Sequence, residues 1–133
     1  MNHVIVVEDD PHNAVLFRKL FEKRLECAVT LTESPDELFE LLRARGVTLV
    51  VMDVSLKGSE WEGRPVSGVE LCRRIKSDPA TRHVPVLLAT AHAMRGDAER
   101  LLRESGADAY VAKPVVDHDL FVTQVRALME KAA

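Results

Sequence analysis

Short apolar runs alternate with stretches of helical periodicity five times along the chain. The first run, Val4-Ile5-Val6-Val7, predicts a buried strand over His3–Val7. Pro11 suits the first turn of a helix, and Ala14, Phe17, Leu20, Phe21 and Leu25 give that helix an apolar stripe reaching about Leu25. A second strand is expected over Ala28–Leu31. Ser34-Pro35-Asp36-Glu37 then forms a capping box, with Pro35 at the first helical position. Its helix presents Leu38, Leu41 and Leu42 and stops near Gly46. Val47–Met52 is almost wholly apolar, as a central parallel strand covered on both faces requires. A longer loop from Val54 to Ser67 carries Gly58, Gly63, Pro65 and the single tryptophan, Trp61.

Beyond it the pattern predicts a helix over Gly68–Lys76, a strand over Val84–Ala89 and a helix over Asp97–Ser105 ended by Gly106. A strand over Ala109–Ala112 follows. The last helix, with Asp117 as its cap, is expected to carry Leu120, Val125, Leu128 and Met129 inward. Strands alternating with helices imply an α/β fold, a three-layer α/β/α sandwich around a parallel sheet with right-handed crossovers.

At 133 residues, with no linker or low-complexity segment, residues 1–133 read as a single domain. A composition 47% hydrophobic and 29% charged is that of a chain with a real core, not of a disordered one. No apolar run is long enough to cross a bilayer, and no basic-then-apolar leader is present, so a cytoplasmic location is expected. The net charge of -3 gives no general attraction to nucleic acid or anionic lipid, and neither is expected as a partner. Cys27 and Cys72 lack metal-ligand spacing. Cys72 falls among Val69, Leu71 and Ile75 as a small core residue; a disulfide between the two stays open, with the reduced form favoured.

Charged residues fall at chosen places in this pattern. Glu8-Asp9-Asp10 directly follows the first apolar run, Asp53 ends the run Val47–Met52, and Lys113 follows Tyr110-Val111-Ala112 and precedes Pro114. Open parallel sheets gather ligand chemistry at the carboxyl ends of their strands. Carboxylates ending two strands and a lysine ending a third make a compact site for a divalent cation and a phosphoryl group.

Four segments carry a resemblance: Val6-Val7-Glu8-Asp9-Asp10, Val50-Val51-Met52-Asp53, Leu88-Ala89-Thr90-Ala91-His92-Ala93 and Tyr110-Val111-Ala112-Lys113-Pro114. In this order, at strand ends, they make the chain similar to the receiver domain of bacterial two-component response regulators, of the stand-alone, chemotaxis type. The resemblance implies a doubly wound, flavodoxin-like sheet of strand order 2-1-3-4-5. It implies a signalling switch in which Asp53 accepts a phosphoryl group from a histidine kinase or phosphotransfer protein. The domain would assist its own phosphoryl transfer and hydrolysis but not act as an enzyme on another substrate. Mg²⁺, with Mn²⁺ as a substitute, would be held by Asp9, Asp53 and the backbone carbonyl of Ser55, and by Glu8 through a water. Asp10 would serve the helix start instead, although a slip of one residue would exchange these acidic roles.

Lys113 would pair with a phosphoryl oxygen, and in this family its bond to the following proline is often cis. Thr90 would donate its hydroxyl to the phosphoryl group and Tyr110 would change rotamer in response. That change would reach a downstream protein through the face of the fourth helix, fifth strand and fifth helix, where a homodimer is also expected. Ser55 and His92 occupy positions linked to phosphoryl lifetime; His92 reads equally as a solvent-facing loop residue.

The segment from Asp53 to Gly68 is several residues longer than the resemblance implies, and that from Thr90 to Gly106 about one residue longer. The Trp61-Glu62-Gly63-Arg64 insertion would cover the site, bind a partner or form a surface loop. The run from Thr90 to Asp97 is similar to receivers found alone or fused to sensor kinases. With the chain stopping at Ala133, no output domain is expected, the alternative being a receiver fragment of a larger hybrid kinase or regulator. An aspartyl-nucleophile phosphatase would carry an acid where Ser55 stands. A flavodoxin-like nucleotide site would not place Glu8-Asp9-Asp10 against a phosphate. A degenerate receiver, acting only as an interaction module, would lack part of the set Glu8, Asp9, Asp53, Thr90 and Lys113.

Overall fold

The apolar runs assemble into one parallel sheet. The computed structural model describes residues 2–44, 46–56, 60–91 and 95–132. Its strands are β1 (His3–Val7), β2 (Ala28–Thr32), β3 (Val47–Asp53), the two-residue β4 (Glu60–Trp61) and β5 (Arg64–Pro65), β6 (Val86–Thr90) and β7 (Ala109–Ala112). The helices are α1 (Pro11–Lys19), α2 (Pro35–Arg43), α3 (Gly68–Ser77), α4 (Arg95–Ser105) and α5 (His118–Ala132). Five strands pair in the order β2-β1-β3-β6-β7, all parallel. With the β4–β5 hairpin set aside, this is the expected 2-1-3-4-5 pattern. The reversal of strand order lies between β1 and β3, and there the acidic strand ends meet.

Alternation along each strand divides the core in two. Ile5, Val7, Val50, Met52, Val86 and Leu88 face α2 and α3, where Leu38, Phe39, Leu71, Cys72 and Ile75 meet them. Val4, Val6, Leu49, Val51, Leu87 and Ala89 face α1 and α5, against Phe17, Phe21, Phe121 and Val125. Phe121 packs its ring on Phe17 at 5.8 Å and on Phe21 at 5.6 Å between centroids. The central strands are buried on both faces, which explains their unbroken apolar sequence. Cys27 and Cys72 lie in opposite core halves and are both free thiols.

Several boundaries differ from the expectation for local reasons. α1 ends as an α-helix at Lys19 and continues as a π-helical turn, Leu20–Arg24. β6 begins at Val86 because Pro85 lacks the N–H a central strand position needs, although its carbonyl still accepts from Val50 N at 3.0 Å. Leu120 does not point inward; it is 64% exposed. The buried phase of α5 is set by Phe121, Val122 and Val125, and a step of one residue turns Leu120 about 100° away. Asp117 does cap α5, accepting from Leu120 N at 3.0 Å, and Ser34 and Ser67 cap α2 and α3 likewise. Among the described residues no helix is long and apolar enough to cross a membrane.

Candidate functional site

The carboxyl ends of β1, β3, β6 and β7 converge on one cleft. Glu8 follows β1 and is buried; Asp53 is the last residue of β3 and only 2% exposed. Lys113 follows β7, where its backbone N–H bonds Thr90 O at 2.9 Å and ties the end of β7 to the end of β6. Its ammonium donates to Glu8 Oε1 at 3.0 Å and to Asp53 Oδ1 at 2.9 Å. Asp53 Oδ1 also accepts the backbone N–H of Ser55 at 3.1 Å, which folds the chain after β3 around the carboxylate. The Lys113–Pro114 peptide bond is cis.

Asp10 turns away from this cluster. Its side chain accepts from His12 N at 2.9 Å and caps α1, while its own N–H reaches Glu8 Oε2 at 3.2 Å. Asp9 is half-buried and interacts with other groups of the structure. Glu8, Asp9 and Asp53 each bring a carboxylate oxygen within 4.8 Å of the other two. The cleft has a volume of about 510 Å³ and is lined by Asp9, Asp10, Asn13, Asp53, Ser55, Ala91, Lys113 and Pro114.

Two carboxylates share one ammonium in a place with little water. Burial pushes the Asp53 carboxyl up to about 7; the neighbouring Glu8 carboxyl adds to the rise and Lys113 opposes it. Burial acts to lower Lys113, but its bonds to Asp53 and Glu8 outweigh this and hold the ammonium above the ordinary lysine value. The cluster is therefore short of positive charge. Three hard oxygen donors with this deficit suit a small divalent cation such as Mg²⁺, and the donor set fits it. Next to it, an ammonium held between two carboxylates is placed to balance further negative charge.

Most of the residues singled out in the sequence lie together here. Thr90 is buried at the end of β6 and bonded within the structure, directly before the cleft-lining Ala91. Tyr110 lies across from Leu88 in β7, outside the cleft and partly exposed. It borders an apolar groove of about 710 Å³ with Leu102, Val116, Leu120 and Gln124. His92 falls outside the described residues.

Sequence reasoning missed Asn13 and Gly68. Asn13, four residues after Asp9 on the first turn of α1, lines the cleft. That i, i+4 spacing from a strand-end acid was the signal available. Gly68 begins α3, and a Cβ there would run into the Asp53 carbonyl. The contact joins two segments far apart in sequence and leaves no local trace.

The sequence model of the response regulator receiver domain family matches residues 4–126, the span that contains every one of these groups. The chain belongs to the response regulator receiver family. The polar-differentiation response regulator DivK of Brucella ovis is 38% identical over 112 residues, covering 84% of each chain. Among solved structures, the receiver domain of a Pseudomonas aeruginosa sensor histidine kinase superposes with a TM-score of 0.78 at 23% identity. It covers 97% of this chain and 98% of that one, and was crystallised with a magnesium ion in its active-site cleft. A signal receiver domain of a histidine kinase from Syntrophus aciditrophicus gives 0.79 at 24% identity, over 98% and 92% of the two chains. The receiver is thus a non-enzymatic, phosphorylation-activated switch of the two-component class, which works with histidine kinases.

Proposed function

We propose that Asp53 of this receiver is the phosphoryl acceptor and that Glu8, Asp9 and Lys113 complete its reaction site. The observation that carries this is the ammonium of Lys113, held at 3.0 and 2.9 Å by two buried carboxylates at strand ends. In the reaction a carboxylate oxygen of Asp53 attacks the phosphorus of a phosphohistidine on a kinase or phosphotransfer protein. The new O–P bond gives an acyl phosphate; the P–N bond breaks and its electron pair leaves with the imidazole. Lys113, already bonded to Asp53, shifts its ammonium toward the added phosphoryl oxygens. Thr90 supplies a hydroxyl to them from the end of β6.

Asp9, Asp53 and the carbonyl of Ser55 would hold Mg²⁺, with Glu8 assisting through a water, and Mn²⁺, which also favours oxygen ligands, would substitute. When bound, the ion neutralises charge on the phosphoryl group. Ser55 and His92 set how quickly water removes that group, and the receiver assists this hydrolysis itself.

Output passes through the face of α4, β7 and α5. Tyr110, Val116 and Leu120 border its groove, and Val116 and Leu120 are the two most exposed large apolar residues of the described chain. A downstream protein or a second copy of the receiver covers them. We place the receiver in the cytoplasm, with residues 1–133 as one domain.

The test is intact mass after incubation with acetyl phosphate and Mg²⁺. One added phosphoryl group is expected, lost with a chelator or in Asp53→Asn. A phosphoryl group retained by Asp53→Asn would move the acceptor elsewhere.

A further inference from the structure

The receiver's longest connection runs from Val54 to Ser67, and its described hairpin lies away from the acceptor cleft. Long connections in compact domains usually serve a function of their own. None of the hairpin residues 60–65 lines the acceptor cleft. The hairpin instead folds against the helices beside the sheet. Glu62 and Gly63 turn the chain with positive φ, and Trp61 pairs with Arg64 across the two short strands. Trp61 stacks on Phe39 of α2 at 5.1 Å, with 19° between the rings. The Arg74 guanidinium of α3 lies 4.5 Å from the Trp61 ring centroid, and Arg74 also approaches Glu62 at 3.9 Å. Arg64 bonds Glu70, two residues into α3, at 2.9 Å. The Phe39–Trp61 stack, the Arg74–Trp61 contact and two ion pairs thus fasten the hairpin to two helices.

From the hairpin a short, continuous path leads to the acceptor. Pro65 is followed by Val66, buried in the core, and by Ser67, which caps α3. Next comes Gly68, whose Cα is pressed so close to the Asp53 carbonyl that no Cβ fits. Gly68 N also bonds Val54 O at 3.1 Å, and Val54 N bonds Ala89 O at 3.0 Å. Whatever moves residues 64–67 therefore moves the backbone behind Asp53. An unfastened loop of this length would leave that contact loose.

We propose that the hairpin is a buttress and that Trp61 is a positioning residue for the Asp53 end of β3, a role that rests on Asp53 being the acceptor. The test compares wild type, Trp61→Ala, Trp61→Phe and Arg74→Met in the full chain by ¹H–¹⁵N NMR, before and during Mg²⁺ titration. In Trp61→Ala the amides of Val54 and Gly68 shift before any metal is added. Mg²⁺ then binds roughly fivefold more weakly, below the tenfold or more typical of losing a direct outer-shell partner. Trp61→Phe, which keeps a ring against Phe39 and Arg74, stays within about twofold of wild type. Shifts confined to the hairpin, Phe39 and Arg74, with Mg²⁺ affinity unchanged, would overturn the proposal. So would a phenylalanine that restores nothing. If Trp61→Ala does not fold, Arg74→Met is read by the same criteria. A wild type that binds no Mg²⁺ would sink the acceptor reading instead, and the amide shifts alone would then decide the buttress.

Discussion

Two lysines anchor charged clusters at opposite ends of the same sheet. At the carboxyl end Lys113 faces two buried carboxylates, Glu8 and Asp53. At the amino end Lys76 spends its three N–H groups on Asp108 Oδ2 at 2.8 Å, Val84 O at 2.8 Å and Arg82 O at 3.2 Å. Asp108 Oδ2 also accepts from Val86 N at 2.8 Å, and its backbone N–H bonds Val86 O. One cluster is balanced in charge and has its hydrogen bonds distributed over backbone; the other has an excess of anion. A polar network with its partners supplied specifies a fold. One left short of a countercharge marks a place for a ligand. The Lys76 cluster staples α3 to the starts of β6 and β7, whereas the Lys113 cluster is where we propose that a cation and a phosphoryl group bind.

The largest effect is expected where that deficit is deepened. Lys113→Met should lower acetyl-phosphate-driven phosphorylation by about 100-fold or more, the usual cost of losing one preorganised charge at a reacting group. Intact-mass time courses measure it, with circular dichroism confirming the fold. Lys76→Met should leave that rate within about threefold, since its contacts end far from the cleft, while lowering stability by about 1–3 kcal/mol through the unpaired Asp108 and carbonyls. Chemical denaturation measures the second number. If Lys76→Met also abolished phosphorylation, the division between staple and reaction site would be wrong.

Gly68→Ala tests the boundary between the two kinds of region. The obstructing atom is the Asp53 backbone carbonyl, which cannot swing aside as a side chain could. Either α3 withdraws or β3 shifts. A loss of about 1–3 kcal/mol in stability is expected from the overpacking. Phosphorylation should slow roughly tenfold from displacement of the acceptor. A variant that loses stability but phosphorylates normally would show that α3 gives way and β3 does not.

Much of this was legible before any coordinates. The strand order came with the family resemblance that four short motifs carry, and Glu8, Asp9, Asp53 and Lys113 were marked by their places at the ends of apolar runs. These signals are local: a strand fixes where its last residue points. The rest depends on contacts between distant segments. Two-residue strands such as Glu60–Trp61 and Arg64–Pro65 have no periodicity to read, and the stack on Phe39 joins positions 22 residues apart. Leu120 was assigned inward because an apolar residue in the first turn of a helix fits two phases, and only packing by Phe121 and Val122 chooses between them. Lys76 carried no mark either, because its carbonyl partners exist only after the loop at 82–84 has folded over α3.

The smallest predicted effect reads the interior beside the staple. Cys72 is fully buried one helical turn before Lys76. Burial pushes its thiol up to about 11, while a hydrogen bond with Ser105 and the charge of Lys76 pull the other way and Asp108 adds to the rise. The folded state therefore resists forming the thiolate that the unfolded chain forms near 9.0. A raised folded value means that Cys72 contributes its full stabilisation below about 9, and that the contribution fades as pH rises from there through about 11. Thermal unfolding from pH 7 to 11 should then fall more steeply for wild type than for Cys72→Ala, whose lower but flatter curve lacks this group. In Lys76→Met the fall should begin at the same pH but continue further, because loss of the nearby ammonium raises the folded thiol further while the unfolded value is unchanged. Equal slopes for wild type and Cys72→Ala would mean that the core around α3 opens to water before the thiol titrates.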